Sequence, residues 1–154
     1  YWDVRPSAHI DTLEFRVADA CPTIDETLLQ TALARGLART EHDALLAGAP
    51  TLQVRTELWR LSSGRAARFG LDGELVEPLT VSAQPARVLV ERLLMRIRPA
   101  LEEAGDWLFV REQVDRLLTD GGSAQRQRAV FERRGDPRDV VAALVAETNP
   151  SAGR

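Results

Sequence analysis

The residues best suited to chemistry lie in one short stretch near the start of the chain. Glu14 and Arg16 are two positions apart, so on an extended strand their side chains leave the same face about 6–7 Å apart. A carboxylate can hold a divalent cation, and a guanidinium can bind an anionic oxygen. Arg5 and His9 lie just upstream. The segment therefore contains the residue types that handle Mg²⁺ and phosphate.

A solvated, charged strand face explains the same residues. Asp3 and Asp19 bracket the segment, and they could simply orient the arginines by hydrogen bonding. Ion pairs on the exposed side of a strand have the same composition as a phosphate site. The residues taken alone favour the solvated face.

The element that must position these side chains is a strand over residues 10–18. Leu13, Phe15 and Val17 alternate with the polar side chains around Glu14 and Arg16. That period of two predicts one buried apolar face and one polar face.

The rest of the chain has the periodicity of helices. Thr23 and Glu26 have the spacing of a capping box, in which each side chain accepts from the other residue's backbone N–H. The first helix is expected to end near residues 48–50. Its predicted apolar stripe comprises Ile24, Leu28, Ala32, Leu33, Leu37, Leu45 and Leu46.

Further helices are predicted over residues 54–69, after Pro85, over residues 107–118, from Ser123 and from Asp136-Pro137. Residues 75–81 are expected to form a short hairpin or loop, and Pro99 should kink the third helix. The inward side chains of that helix are expected to be Val90, Leu93, Leu94, Ile97 and Leu101. The fold class is α+β, with a catalytic loop and strand over residues 1–19, a helical region over 23–148 and a frayed tail over 149–154.

Bulk composition sets limits on function. The chain has 154 residues and a net charge of −3, so it is the size of one domain and has no general attraction to nucleic acid or anionic membranes. No apolar run approaches the roughly 20 residues of a membrane span. Cys21 is the only cysteine, which makes the cytoplasm the default setting.

A longer pattern surrounds the candidate residues. The chain reads Trp2-Asp3-Val4-Arg5-Pro6-Ser7-Ala8-His9, then Thr12-Leu13-Glu14-Phe15-Arg16, then Asp19. This run resembles the WD-x-RPS-x-H…T-x-E-x-R…D signature of bacterial carboxylate–amine ligases of the glutamate–cysteine ligase type. A weaker likeness continues through Arg68-Phe69-Gly70-Leu71-Asp72-Gly73 and the helical C-terminus. The resemblance implies the mainly helical C-terminal part of a glutamine synthetase-like catalytic domain, with its strand in a larger antiparallel sheet completed by a missing N-terminal half.

The resemblance also implies a reaction. In such ligases ATP phosphorylates a carboxylate, here that of glutamate or a related acid, and an amine such as that of cysteine attacks the acyl phosphate. It makes Glu14 a ligand of Mg²⁺ or Mn²⁺, and makes Arg5 and Arg16 catalytic partners of the transferring phosphate. The nucleotide would contact Arg5, His9, Arg16 and Arg68. The full protein is expected to be a cytoplasmic homo-oligomer without nucleic-acid or membrane partners.

Two departures from the family pattern lead to alternatives. Ser62-Ser63-Gly64 stands where the family has an Asn-Arg-aromatic cluster, and no G-x-E-x-E segment supplies further metal-binding glutamates. We therefore expect the isolated chain to have little or no ligase activity. The alternatives are a non-catalytic helical module for oligomerisation or regulation, and a half-protein that pairs with a separate N-terminal partner.

Other candidate residues have simpler explanations. His42 lies between Glu41 and Asp43, and an exposed charged helix face is favoured over a metal site. Trp59 and Trp107 are expected to anchor the core or an interface. A DNA-binding helix pair is disfavoured because Arg138 is the only basic residue of the final helix, after the arginines at 126, 128, 133 and 134.

Overall fold

Six helices and two small antiparallel sheets make up the computed structural model, which describes residues 3–149. The elements are β1 (Val4–Pro6), β2 (Leu13–Phe15), α1 (Ile24–Leu46), α2 (Thr56–Phe69), β3 (Glu74–Glu77), β4 (Ser82–Pro85), α3 (Ala86–Glu103), α4 (Trp107–Asp120), α5 (Ser123–Arg134) and α6 (Pro137–Thr148). This architecture confirms the mainly helical α+β fold. Residue Tyr1, the signature residue Trp2 and all of the predicted frayed tail except Asn149 lie outside the described residues.

The hydrophobic core lies where α1, α3 and α4 meet. Its buried side chains are Leu29 and Ala32 of α1, Leu94, Ile97 and Leu101 of α3, and Val110 and Val114 of α4. Gly36 lets α1 and α3 approach closely, because a Cβ at this position would lie 3.1 Å from Leu101 Cδ2. A glycine inside a helix costs roughly 1 kcal/mol relative to alanine, and here it makes room for the core side chains of α3.

Only the middle of the predicted α1 stripe is correct. Ala32 is buried and Leu33 and Leu37 pack against the core, whereas Ile24, Leu28, Leu45 and Leu46 are exposed. Leu29, which the predicted stripe did not include, is buried in place of Leu28. For Ile24, Leu45 and Leu46, at the two ends of α1, the reason is length: α1 has 23 residues, which is about 35 Å at 1.5 Å per residue. The core residues of α3 and α4 cover only its central part.

The predicted capping box at the start of α1 forms only in part. The backbone N–H of Glu26 donates to Thr23 Oγ1 at 3.2 Å, as predicted. The Glu26 carboxylate does not return to the backbone of Thr23. It accepts instead from Arg126, which is 100 positions away, at 2.7 Å.

Residues 70–85 connect α2 to α3 through a hairpin. Strands β3 and β4 pair antiparallel, with Glu74 opposite Pro85 and Glu77 opposite Ser82. This confirms the hairpin expected around Pro78. The hairpin is tied to α2 by Arg65, whose Nε donates to the backbone oxygen of Glu74 at 3.2 Å.

The remaining helices begin and end close to the predicted residues. Helix α3 continues through Pro99 to Glu103, with Leu94, Ile97 and Leu101 buried as expected and Val90 and Leu93 packed against the core. Helix α5 starts one residue earlier than predicted, because Gly122 rather than Ser123 is its N-cap and Ser123 is its first residue. Asp136 caps α6 by accepting from the Arg138 backbone N–H.

The remaining aromatic and histidine predictions have different outcomes. Trp107 packs against the core as expected, with the Arg98 guanidinium 4.8 Å from its ring centroid. Trp59 is exposed, so it does not anchor the core, and the alternative that it anchors an interface stays a prediction. His42 lies on an exposed, charged face of α1 beside Asp43. Within residues 3–149, no helix has both the length and the apolar character needed to cross a lipid bilayer.

Candidate active-site hairpin

A short hairpin brings the signature residues together. Strands β1 and β2 pair antiparallel, with Arg5 directly opposite Glu14. Beyond the ladder, the Arg16 N–H donates to the backbone oxygen of Asp3 at 2.7 Å. The sequence did not predict β1, although Ser7 and Asp11 are residues typical of the turn that connects two such strands. The predicted strand over residues 10–18 is too long, because its partner has only three residues.

One carboxylate lies between two guanidinium groups in this hairpin. Arg5 Nε donates to Glu14 Oε2 at 2.7 Å, and Arg16 Nε lies 3.6 Å from Glu14 Oε1. Strand pairing places Arg5 across from Glu14, and the strand's period of two places Arg16 on the same face. We call this set the Arg5–Glu14–Arg16 cluster. All three side chains are partly open to solvent.

The electrostatics of the cluster favour an anion. The hydrogen bond from Arg5 lowers the pKa of Glu14 below its ordinary value. Desolvation opposes this in part, and the charges of Arg5 and Arg16 add smaller effects that lower the pKa further. Glu14 is therefore ionised at neutral pH. Two guanidinium groups and one carboxylate leave one surplus positive charge, which can attract a phosphate oxygen.

Substituting Arg5→Gln should raise the pKa of Glu14 back toward its ordinary value, because it removes the largest cause of the lowered pKa. A group with a lowered folded-state pKa stabilises the fold fully above its unfolded pKa, and that contribution is lost as pH falls through the folded pKa. The substitution should therefore shift this loss to higher pH. A carboxyl ¹³C NMR titration measures the effect.

Asp43 provides the internal control for that titration. Its pKa is also lowered, mainly by a hydrogen bond from Arg39, and it lies on a different element. Its titration should be unchanged in the Arg5→Gln protein. An unshifted Glu14 would show that Arg5 does not hold this carboxylate in solution.

The described residues do not form a Mg²⁺ site by themselves. Both Glu14 oxygens face guanidinium nitrogens, and residues 3–149 contain no group of three or more His, Cys, Asp or Glu side chains arranged to hold a metal. Mg²⁺ needs about six oxygen ligands. The metal-binding role of Glu14 stays a prediction that requires oxygen ligands from outside these residues.

Two predicted nucleotide-binding residues lie apart from the cluster. His9 is exposed in the connection between β1 and β2, where its backbone N–H donates to Ser7 Oγ at 3.3 Å. Arg68 lies in the last turn of α2 and lines a separate cavity of about 200 Å³ with Asp72 and Arg128. Both roles remain predictions, because neither side chain is placed next to Arg5 or Arg16 by a described contact.

The apolar side of β2 is open rather than buried. Leu13, Phe15 and Val17 are 52%, 38% and 66% exposed, so the expected buried face is wrong for the described residues. Phe15 and Val17 line an open groove of about 640 Å³ whose other wall includes Leu33 and Leu37 of α1. The strand faces α1 across this groove instead of packing against it.

The two bracketing acids make backbone contacts in the described part of the chain. Asp19 Oδ1 accepts from the backbone N–H of Ala20 at 2.8 Å. Asp3 contacts β2 through its backbone oxygen, which accepts from Arg16. Cys21 is partly buried and lines a cavity of about 390 Å³ between residues 18–22 and the start of α5.

Comparison with known proteins decides the family. The model of the family described as Glutamate-cysteine ligase family 2 matches residues 1–143. The chain belongs to this family. Strands β1 and β2, which carry the Arg5–Glu14–Arg16 cluster, lie within the matched region, as do α1 to α5.

Individual members of glutamate-cysteine ligase family 2 match nearly the whole chain. A Salinispora tropica protein named "Putative glutamate--cysteine ligase 2" is 46% identical over 151 residues, which are 97% of this chain and 40% of the relative. A Frankia casuarinae protein named "Putative glutamate--cysteine ligase 2-2" is 42% identical over an alignment of 155 residues, which covers 99% of this chain and 18% of the relative. A Rhodococcus jostii protein named "Putative glutamate--cysteine ligase 2-3" is 46% identical over 154 residues, which are 100% of this chain and 19% of the relative. The chain therefore spans 18–40% of the length of these three relatives.

Proposed function

We propose that this chain supplies part of the active site of an ATP-dependent ligase that joins the γ-carboxylate of glutamate to an amine such as that of cysteine. The observation that carries the proposal is the Arg5–Glu14–Arg16 cluster, in which two strands hold two guanidinium groups around one ionised carboxylate. The relatives' names support the same reaction class.

The proposed reaction has two steps. An oxygen of the glutamate γ-carboxylate attacks the γ-phosphorus of ATP, the bond to ADP breaks, and an acyl phosphate forms. The amine nitrogen then attacks the acyl carbon, phosphate leaves, and the nitrogen loses a proton. Phosphate is a far better leaving group than the oxide of a free carboxylate. The protein must therefore mainly align the reactants and neutralise charge.

Arg5 and Arg16 suit the first step because each planar guanidinium can hold two oxygens at once. Their proposed role is to bind oxygens of the phosphoryl group while it moves from ATP to the carboxylate. Glu14 fixes Arg5 through the 2.7 Å contact. His9 and Arg68 are assigned to the nucleotide by the family signature, as a further part of the proposal.

The exposed face of β2 supports a larger sheet in the complete ligase. Among the described residues β2 pairs only with β1, so its other edge has unpaired backbone groups. Leu13 and Phe15 expose apolar surface that a further layer would cover. We assign this further layer to a segment of the complete ligase that corresponds to the region of the relatives outside the match to this chain. The same part is the proposed source of additional oxygen ligands for Mg²⁺ or Mn²⁺.

The isolated chain is predicted to have little or no ligase activity, because Glu14 alone cannot complete a metal site. Phosphate release from ATP, glutamate and cysteine in the presence of Mg²⁺ measures this. Release no faster than in a protein-free blank is the expected result. Sustained turnover by the 154-residue chain would overturn the prediction.

A chimera tests the proposed function directly. This chain would replace the matched 151 residues of the Salinispora tropica relative, after that relative has been shown to make γ-glutamylcysteine from ATP, glutamate and cysteine. The proposal predicts product formation by the chimera, measured by chromatography. A folded chimera that makes no product, next to an active parent, would refute it.

A non-catalytic helical module for oligomerisation or regulation is the second candidate. Exposed apolar side chains on the last two helices, namely Phe131, Val141 and Val145, favour it. The same chimera separates the two functions. An inactive chimera that retains the parent's oligomeric state would support the module, and an active one supports the ligase. We propose that the complete ligase is a cytoplasmic homo-oligomer with small-molecule substrates.

A further inference from the structure

Helices α5 and α6 form a hairpin outside the hydrophobic core. Neither helix has a fully buried residue, and the core cluster contains side chains of α1, α3 and α4 alone among the described residues. The extensive packing of α5 is against α6. What holds this hairpin to the rest of the chain must therefore be sought in its polar contacts.

Arg126 joins the hairpin to the start of α1. Its Nη2 donates to Glu26 Oε1 at 2.7 Å, its Nε donates to Glu147 Oε1 at 3.2 Å, and its Nη1 donates to the backbone oxygen of Gly121 at 3.1 Å. The side chains of Arg126 and Glu26 are only 31% and 16% exposed. One guanidinium thus connects α1, α6 and the turn before α5.

The connection before α5 can act as a hinge. Gly121 has φ 84° and ψ 157°, a combination that is essentially restricted to glycine. Gly122 follows it directly. Besides Arg126, one further polar link between residues 3–149 crosses from the hairpin to the body, and it joins Gln125 to the Asp72 carboxylate. Without these links, rotation at the two glycines would meet little resistance from packed side chains.

The contact between Arg126 and Glu26 lies close in the chain to the Arg5–Glu14–Arg16 cluster. Glu26 is in the first turn of α1. Residues 18–22 lie between β2 and the N-cap of this helix. Asp19 and Cys21 of this segment face Ser123 and Gln127 of α5 across the cavity of about 390 Å³. Movement of α5 would therefore displace one wall of this cavity, and residues 18–22, which form another part of its lining, would lose that support.

We propose that Arg126 is a positioning residue, which docks the α5–α6 hairpin on the first turn of α1 and thereby fixes residues 18–22 behind β2. Its effect on turnover rests on the proposed function. Its effect on docking does not, because docking can be measured in the chain without any substrate.

Hydrogen exchange of the 154-residue chain tests the docking. Arg126→Gln should increase exchange about tenfold in residues 18–27 and 121–148, since opening becomes easier. Residues 90–117, which contain most of the core, should be unchanged. Arg126→Lys keeps the positive charge but lacks the planar set of N–H donors. It should therefore retain more protection from exchange than Arg126→Gln does and less than the unmodified chain. Arg128→Gln is the matched control, because Arg128 is exposed on the same helix and makes no ion pair in the described structure.

Two further measurements keep the proposal open to refutation if Arg126→Gln unfolds the chain. Glu26→Gln removes the same contact from the other side. Raising NaCl from about 0.05 M to about 1 M weakens the ion pairs of the unmodified chain without any substitution. Both should increase exchange in the same two regions. Unchanged exchange in residues 18–27 in both of these measurements would overturn the proposal, whether or not Arg126→Gln folds.

Kinetics in the chimera distinguish positioning from a merely structural role. Arg126→Gln should lower kcat about tenfold with little change in the KM for ATP, because alignment is lost while binding groups remain. A change in KM alone, or none in either constant, contradicts positioning of the site. An inactive chimera combined with increased exchange would reject the proposed ligase function and leave the docking role of Arg126 intact.

Discussion

Glu14→Gln is expected to lower the turnover of the active chimera by at least about a hundredfold. The carboxylate holds Arg5 Nε at 2.7 Å through one oxygen and faces Arg16 Nε with the other. A glutamine offers one neutral oxygen, and its NH₂ group would face guanidinium donors. Arg5 would lose the carboxylate that holds its guanidinium in place, and alignment of the phosphoryl group would be lost with it. A metal ligand would be lost as well if Glu14 has the role predicted for it.

The measurement is γ-glutamylcysteine formation under saturating ATP, glutamate and cysteine. Glu74→Gln provides a matched control, because Glu74 is an exposed strand residue of the other hairpin whose carboxylate makes no described ion pair. It should retain nearly full activity. Circular dichroism should show equal helix content in both variants. If Glu14→Gln retained more than about half of the activity, Glu14 would be needed neither to hold Arg5 nor to bind a metal.

Ile97→Ala is expected to destabilise the isolated chain by about 2–5 kcal/mol. Ile97 is fully buried in the cluster that also contains Leu94, Leu101 and Val110. Its Cδ1 would lie 3.4 Å from a Cβ placed on Gly36, so the side chain fills the contact between α1 and α3. Removing three carbons there leaves a cavity that tightly packed neighbours can close only in part.

Urea unfolding followed by circular dichroism measures this effect as a change in the free energy of unfolding at constant m-value. Met95→Ala is the control on the same helix, because Met95 is 61% exposed. Its cost should stay below about 1 kcal/mol. Equal destabilisation by the two substitutions would mean that α3 does not bury the face that carries Leu94, Ile97 and Leu101.

Local signals were enough to place most helix boundaries. Thr23 and Asp136 are caps whose side chains bind backbone N–H groups two or three residues ahead, so a short window of sequence contains the information. Helix α2 ends at Gly70, where the sequence predicted its end. The alternation around Glu14 likewise identified a strand and the shared face of Glu14 and Arg16.

Contacts between distant segments could not be found in this way. Leu28 and Leu29 are neighbours with similar local patterns, yet Leu29 is buried and Leu28 is half exposed, because α3 and α4 determine which side is covered. The partner of Glu26 is Arg126, and no local periodicity relates residues 100 positions apart. Strand β1 depends on pairing with β2, which propensity alone does not specify.

The sequence predicted which residue types make up the candidate site better than it predicted how those residues are arranged in space. Glu14 and Arg16 follow from strand geometry, whereas Arg5 joins them through cross-strand pairing. The family signature assigned His9 and Arg68 to the nucleotide, and no described contact brings either of them to the cluster. Their proposed roles require chain segments that these residues alone do not include.

The open edge of β2 has a practical consequence for handling the isolated chain. A strand with unpaired backbone groups on one side and exposed Leu13 and Phe15 on its face is a template for pairing with another molecule. Self-association should therefore begin at this hairpin as concentration rises. Residues next to the edge, such as Thr12, are the natural places for a solubilising charge in purified preparations.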